Sequence, residues 1–356
     1  MPRSYQPITP ASDVQTTRTH LHEVLPLTGT IVSATYGTFP DEGNIKNYTH
    51  GMFQSVYDYP FLSSSANHIF DLSVGYASGS TDAAAANTQN SKKINMYNIH
   101  AQTLLGFTGS LTGSNTQLRK FESDLKLDQS GTMNSCIFID FSRLLVKDEI
   151  KKNTFSLTLM TGAWTDAGRS DMGLTLTDAN ARVDGTGINS TNGGDYAILV
   201  DTTNDITGGV VFYQAGIAVI TSSVFSHSGA LIPDYHSTSA GTASIRQCLQ
   251  SASISGACDS LRHRIMNISF NNTTQINSTI YTCRAGYNSF NYSSNPTYLS
   301  GAKIRVKNIA SDNPISYVTT VGLYNSQNEL LAVAKLSEPL KKSVENELTI
   351  RVRLDY

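Results

Sequence analysis

The sequence predicts a mainly β protein, β-sandwich-like and antiparallel with a few short helices; an α+β arrangement is the alternative. Three observations carry this expectation. Runs such as Ile69-Phe70-Asp71-Leu72-Ser73-Val74-Gly75-Tyr76 alternate apolar and polar residues with the period of a strand. The short unbroken apolar run Cys136-Ile137-Phe138-Ile139 has the length of a buried strand, and the most apolar stretch, 209–220, interrupted by Gln214, reads as a buried strand or strand pair. Charged residues make up only 15% of the 356, below the roughly 25% of ordinary soluble domains. Ser, Thr, Asn and Gly take their place, and these favour turns and, for Thr, strands.

In chain order, residues 1–28 read as an extended N-terminal arm. It carries Pro2, Pro7, Pro10 and Pro26, with a short helix or strand at about 14–25. Residues 29–298 read as the main β-rich domain with long loop insertions. Its first strand is Thr30-Ile31-Val32-Ser33-Ala34-Thr35-Tyr36. A segment at 48–61 concentrates Tyr48, Phe53, Tyr57, Tyr59 and Phe61, which suits a core cap or an interface anchor. Residues 77–92 read as a surface loop. Residues 93–105 read as the clearest helix, with Ile94, Tyr97, Leu104 and Leu105 at helical spacing and Gly106 at its end. Further strands are expected at 135–146, 154–161, 174–176, 196–200 and 210–221, then a Ser/Ala/Gly-rich chain over 222–260 with a short helix at 243–250, and strands again at 264–283. Residues 299–356 read as a C-terminal β unit of half-buried strands, with Asn325-Ser326-Gln327-Asn328 as a hairpin loop.

Composition limits the function classes. The net charge of −2 supplies no global pull toward nucleic acid or an acidic membrane. The most apolar stretch, 209–220, falls short of the roughly 20 residues that span a bilayer. The N-terminal residues lack the apolar core of a secretory signal, so synthesis in a cytosol is expected. None of the four cysteines, Cys136, Cys248, Cys258 and Cys283, forms a C-x-x-C pair, and Cys136 reads as a buried thiol. A cytosolic origin argues against a Cys248–Cys258 bond, which spacing alone leaves open.

The familiar phosphate-binding, zinc-protease, hydrolase and calcium-loop motifs are absent. Weaker groupings have simpler readings. His20, His22 and Glu23 lack a third spaced metal ligand and suit a polar surface. Asp234-Tyr235-His236 has no nucleophile nearby and suits a loop. Asp166, Asp171, Asp178, Asp184 and Asp195 offer hard oxygen ligands, but at spacings that suit turns. Trp164, the single tryptophan, suits packing better than sugar stacking. Arg143, Lys147, Lys151 and Lys152 stand beside Asp148 and Glu149 as a solvated strand end. No catalytic residue, metal site, cofactor or small-molecule substrate is therefore expected.

The C-terminal block is the most telling. It reads Tyr317-Val318-Thr319-Thr320-Val321-Gly322-Leu323-Tyr324, then Glu329-Leu330-Leu331-Ala332-Val333-Ala334-Lys335, Pro339-Leu340-Lys341-Lys342 and Glu347-Leu348-Thr349-Ile350-Arg351-Val352-Arg353-Leu354. This resembles segments of tail-fibre attachment and baseplate proteins of contractile-tailed phages. The stretch 44–60, Asn-Ile-Lys-Asn-Tyr-Thr-His-Gly-Met-Phe-Gln-Ser-Val-Tyr-Asp-Tyr-Pro, and residues 213–219 look like structural proteins of contractile-tailed cyanophages. The resemblance implies a virion structural protein, a tail or baseplate component made in the host bacterial cytoplasm. It implies a homo-oligomer joined to other tail and baseplate proteins, and it carries no catalytic residue. A head-tail connector of the neck and a carbohydrate-binding fibre-tip adhesin are the alternatives, with a depolymerase further off. Stable interfaces are apolar and aromatic at their centres, so the interface candidates are Phe53, Tyr57, Tyr59, Phe61, Tyr324 and Tyr356.

Overall fold

The computed structural model describes residues 5–26, 42–108, 117–160, 172–182, 184–203, 206–226, 249–262, 264–293, 295–301, 303–304, 309, 311 and 313–356. The expected strand at 30–36, most of the expected helix at 243–250, Trp164, Asp166, Asp171, Asp234, His236 and Cys248 lie outside them.

The protein is mainly β with short helices, as the sequence predicts. A single-turn helix α1 (Pro10–Asp13) leads into β1 (Val14–Pro26). Then come β2 (Ile45–Asn47), β3 (Gln54–Tyr57), β4 (His68–Tyr76) and helix α2 (Asn90–Leu104). A small pair β5 (Phe107–Thr108) and β6 (Gln117–Leu118) precedes β7 (Ser135–Phe141), α3 (Arg143–Val146) and β8 (Glu149–Ile150). The meander continues through β9 (Ser156–Met160), β10 (Met172–Thr177), β11 (Ile188–Thr191), β12 (Gly194–Asp201), β13 (Ile206–Phe212) and β14 (Ile217–Thr221). After α4 (Ile254–Arg262) come β15 (Ile265–Ala285), β16 (Leu299–Ser300), β17 (Lys303–Ile304), β18 (Ile315–Tyr324), β19 (Leu330–Ser343) and β20 (Leu348–Asp355).

The chain forms two compact units. One is Leu21–Thr274; the other combines Met1–His20 with Gln275–Tyr356. The division therefore falls inside β1 and β15, whereas composition placed boundaries near 28 and 298. Polar composition changes at those positions, but strand pairing does not.

In the larger unit the strands run β15-β9-β10-β12-β13-β14-β7-β4-β3-β2 through antiparallel neighbours. β7 and β4 are central and covered on both faces. That is why Cys136-Ile137-Phe138-Ile139 is an unbroken apolar run rather than an alternation. Ile137, Ile139 and Phe141 point into one core with Phe70, Leu72, Val74, Val211, Leu174, Leu157 and Ile268. Cys136 and Phe138 point the other way, into a second core beneath α2 with Tyr97, Ala101, Leu104, Phe121 and Phe212. The first core draws on Ile45 and Val56 from one end of the path and on Ile265 and Ile268 from the other. A sheet that supplies one core from both ends curls over its own inner face, which is the sandwich-like arrangement. Helix α4 lines this core with Ile254, Ala257, Cys258 and Leu261.

Close approach of α2 to β4 depends on Gly75. A Cβ there would lie 2.5 Å from the Lys93 carbonyl oxygen and 2.8 Å from the Tyr97 nitrogen. Gly106, at φ +74°, closes α2 with its N–H on the Ala101 carbonyl at 3.0 Å, as its position in the sequence predicts.

Two local expectations are corrected and one is sharpened. The strand expected over 135–146 ends at Phe141, because the N–H groups of Leu145 and Val146 turn back onto the Ser142 carbonyl. The stretch 209–220, expected as a strand or a strand pair, is the pair: β13 and β14 form a hairpin with Gly209 opposite Ile220 and Phe212 opposite Ile217. Residues 254–262, read as Ser/Ala/Gly-rich chain, are helical.

The smaller unit is built differently. The second half of β15 pairs antiparallel with β20, from Ser278↔Asp355 to Ala285↔Leu348. Thr17 reaches Ser278 and Arg18 reaches Asn277, so β1 runs antiparallel along this half of β15. β18 and β19 form a separate two-stranded sheet. Its turn is closed by Asn325, whose Oδ1 accepts the N–H groups of Gln327 and Glu329 at 3.0 and 2.8 Å. Among the described residues of this unit, the only buried apolar side chains are Leu323 and Val352.

Candidate functional site

The interface candidates fall in both units. Phe53, Tyr57, Tyr59 and Phe61 belong to the larger one, Tyr324 and Tyr356 to the smaller.

The first four sit around the β2–β3 hairpin and the loop before β4, and all are half-buried. Tyr48, His50 and Phe53 form a closed ring trio at 4.9–5.0 Å between centroids, with Tyr48 and His50 stacked. The Lys46 ammonium lies 4.9 Å over Tyr48. Tyr57 packs against Phe61 at 6.4 Å and His68 at 5.5 Å. Burial is the main cause that pushes the Tyr57 phenol up. These rings satisfy one another and brace the loop. Asp58 clamps that loop by accepting the Asn67 backbone N–H at 2.6 Å, which leaves Leu62 as its exposed apolar tip.

Beside this patch the β3–β4 register brings Ser55 opposite Asp71. The Ser55 hydroxyl donates to the Asp71 carboxylate. His68 Nε2 lies 2.8 Å from the same carboxylate oxygen. A serine nucleophile needs the histidine between itself and the acid. Here the acid lies between, and the ring nitrogen that meets it is turned to Asp71 rather than to Ser55.

Acidic residues elsewhere have structural duties. Asp178 accepts the N–H groups of Asn153 and Phe155 at 2.7 and 2.9 Å and the Tyr213 hydroxyl at 2.8 Å. Burial pushes its carboxyl up against those bonds. Asp195 pairs with Lys152 at 2.6 Å, and that bond holds its carboxyl below the usual range. Asp184 accepts the Thr186 N–H at 3.0 Å. Glu122, Asp124 and Asp128 bring carboxylate oxygens within 4.8 Å of one another, a grouping that spacing did not single out. Glu122 already accepts the N–H groups of Asp128 at 3.1 Å and Gln129 at 2.7 Å, so donors that a cation would replace are in place.

The basic run is likewise distributed. Lys147 pairs with Glu23 at 2.8 Å, Lys152 with Asp195, and Arg143 donates to the Gln214 carbonyl at 2.6 Å. Glu23 is held below the usual carboxylate range by Lys147. His22 lies 3.1 Å from the Thr273 hydroxyl.

In the smaller unit the aromatic candidates are open. Tyr324 is 40% exposed and meets the edge of Tyr5, at 5.0 Å between centroids. Tyr356 is 72% exposed; its backbone pairs with Asn277 and its hydroxyl lies 3.1 Å from Thr279. Leu330, Leu331, Val333 and Leu340 along β19, with Tyr287 and Phe290, are exposed too. A shallow cleft of about 340 Å³ lies among Asp13, Gln15, Thr282, Arg284 and Arg351. Arg284 and Asp13, 3.2 Å apart, bridge part of it.

Sequence reasoning missed the exposed leucines of β19, although the pair Leu330-Leu331 in a hairpin arm was a readable signal. Comparison with protein-family models, curated proteins and solved structures finds no match.

Proposed function

We propose that this chain is an assembly protein: a virion structural component of a contractile-tailed phage, located in the tail or baseplate, that acts by binding other virion proteins and turns over no substrate. One observation carries the assembly reading. Among its described residues, the unit of Met1–His20 and Gln275–Tyr356 buries only Leu323 and Val352 of its apolar side chains while it leaves Leu330, Leu331, Val333, Tyr324 and Tyr356 exposed. Apolar surface left in water on that scale is a cost that association removes, at about 25 cal/mol per Å². The Ser55–Asp71–His68 order and the structural duties of Asp178 and Asp195 favour binding over catalysis. The virion location rests on the resemblance of residues 317–354 to tail-fibre attachment and baseplate segments.

The test is electron cryomicroscopy of the intact particle that carries this chain. The expected density lies at the distal end of the tail, with β18 to β20 buried against other subunits. Density in the neck would replace the baseplate location with a connector role. Absence from every particle, or loss of host polysaccharide on incubation with the pure protein, would overturn the reading.

A further inference from the structure

A row of polar and titratable groups crosses the central strands of the larger unit. Strand registers set Ser55 of β3 opposite Asp71 of β4, and Asp71 opposite Asp140 of β7. All three share the sheet face that carries Gly75 and Phe138, the face beneath α2. Directly opposite side chains of an antiparallel pair have Cβ atoms about 4.5–5.5 Å apart, and like charges so placed repel. Among the described residues, neither carboxylate pairs with a lysine or arginine. Lys46, next along the row, holds its ammonium 4.9 Å over the Tyr48 ring. Each carboxylate is instead tied at one oxygen by a histidine. Asp71 Oδ1 meets His68 Nε2 at 2.8 Å and accepts the Ser55 hydroxyl; Asp140 Oδ2 meets His100 Nε2 at 3.1 Å. The second oxygen of each is left over. Asp140 Oδ1 is buried without a hydrogen-bond partner among the described residues, and Asp71 Oδ2 has none there either. Ser73 adds a third such oxygen. It follows Asp71 on the same face of β4 and stands diagonal to Asp140. It is 2% exposed, and its hydroxyl has no partner among the described residues.

Buried oxygens without partners are costly to a fold, and two facing carboxylates add to that cost. We infer that Asp71, Asp140 and Ser73 form a binding site for a hard divalent cation of the magnesium or manganese class, held by Asp71 Oδ2, Asp140 Oδ1 and the Ser73 hydroxyl. Such ions take oxygen ligands, and magnesium is typically held by one or two carboxylates with water in the remaining positions. Three protein oxygens suit that pattern. The Asp71 and Asp140 side chains are 29% and 36% exposed, which gives a hydrated ion a way in. His68 and His100 then act as outer partners, each bonded to the oxygen of a liganding carboxylate that does not meet the ion. Without the cation each is an ordinary histidine–carboxylate contact. Protonated histidines offset the two charges but reach only the tied oxygens. Water would bond the remaining oxygens, yet it would leave the charges facing each other. A cation answers both needs. The Glu122, Asp124 and Asp128 group differs, because backbone N–H groups already occupy Glu122 and none of its side-chain oxygens is buried without a partner. The Asp71–Asp140 site belongs to the larger unit and is independent of the assembly reading.

The test titrates Mn2+ into the full chain after chelator treatment, followed by calorimetry and by the paramagnetic resonance signal of the free ion. The native chain is expected to bind manganese, to release it to excess Mg2+, and to melt at a higher temperature when it is bound. Asp71→Asn and Asp140→Asn should each weaken binding about ten-fold or more. Ser73→Ala keeps both charges and should weaken it less. Asp124→Asn, in the other acidic group, should leave it unchanged. Circular dichroism melts in chelator check that each variant is folded; where an asparagine variant does not fold, Ser73→Ala carries the test, and undiminished binding by it overturns the inference. A native chain that binds no manganese also overturns it. So does binding that survives both asparagine substitutions, or binding that Asp124→Asn abolishes. Zinc held far more tightly than manganese, and lost in His68→Gln, would assign the ligands to the histidines and overturn the oxygen site.

Discussion

The two compact units use similar residue types and bury them to very different extents. In Leu21–Thr274, β4 and β7 are covered on both faces, and Phe70, Leu72, Phe138, Ile139 and Phe212 are wholly buried. In the unit of Met1–His20 and Gln275–Tyr356, β18 and β19 expose two tyrosines, three leucines and Val333, and among the described residues two apolar side chains are buried. β propensity alone makes strands in both. What separates them is whether side chains from a second layer of the same chain cover each sheet face. The larger unit carries its stability within itself. The smaller one leaves room for association to contribute.

The sharpest test of that contrast is a pair of truncations. Phe138 lies between Tyr97, Phe121 and His100, with ring centroids at 6.3, 5.7 and 4.0 Å. Phe138→Ala is expected to cost about 3–5 kcal/mol in urea unfolding of the full chain. Leu331→Ala removes a side chain that is 68% exposed. It should shift the same transition by no more than about 0.5 kcal/mol. Comparable losses from both would break the contrast.

A smaller effect is expected at Gly75. An added methyl would meet the Lys93 carbonyl and the Tyr97 nitrogen, both backbone atoms of α2. Neither can swing aside as a side-chain end does, so the helix must lift from β4. Gly75→Ala should cost about 1–3 kcal/mol. Hydrogen exchange should quicken in residues 93–101 before it does in β13 and β14. Uniform exchange would argue that α2 and the sheet yield together.

Much of the larger unit was legible because its signals are local. The alternation around Phe70 announces a strand, the unbroken run around Ile137 announces a doubly covered one, and α2 with Gly106 announces its own end. Helix α4 went unread because Ser, Gly and Ala suggested loop. Yet Ile254, Ala257, Cys258 and Leu261 recur at helical spacing, and Ser253 caps the start by accepting the Gly256 N–H at 3.1 Å. Long-range features were not legible at all. Asp82 looked like a loop residue, yet it is buried and accepts the Ser135 hydroxyl at 2.5 Å, 53 positions away. The meeting of Ser55, Asp71 and His68 depends on a register that shifts between Val56 and Tyr57. No periodicity in either strand predicts such a shift. Aromatic content marked 48–61 correctly as a cluster, but composition could not say that its rings would satisfy one another while Tyr324 and Tyr356 stayed open.

The smallest expected effect concerns proton linkage within the larger unit. His100 is buried on α2 and stacks on Phe138 at 4.0 Å. Its Nδ1 lies 2.8 Å from the Met96 carbonyl and its Nε2 lies 3.1 Å from the Asp140 carboxylate, so both nitrogens face acceptors. Burial is the largest single influence and disfavours the charged ring. The bond to Asp140, the charge of Asp140 and the Met96 carbonyl together outweigh it and raise the pKa above its ordinary value. A group whose folded pKa exceeds its unfolded value, about 6.5 for histidine, adds stability that is full below the unfolded pKa. That stability is lost as pH rises through the folded one. The melting temperature attributable to this site should therefore decline from about pH 6 upward, and His100→Gln should flatten that part of the profile. A variant that keeps the native slope would assign the pH dependence to other groups, and the His100–Asp140 pair would then serve packing alone.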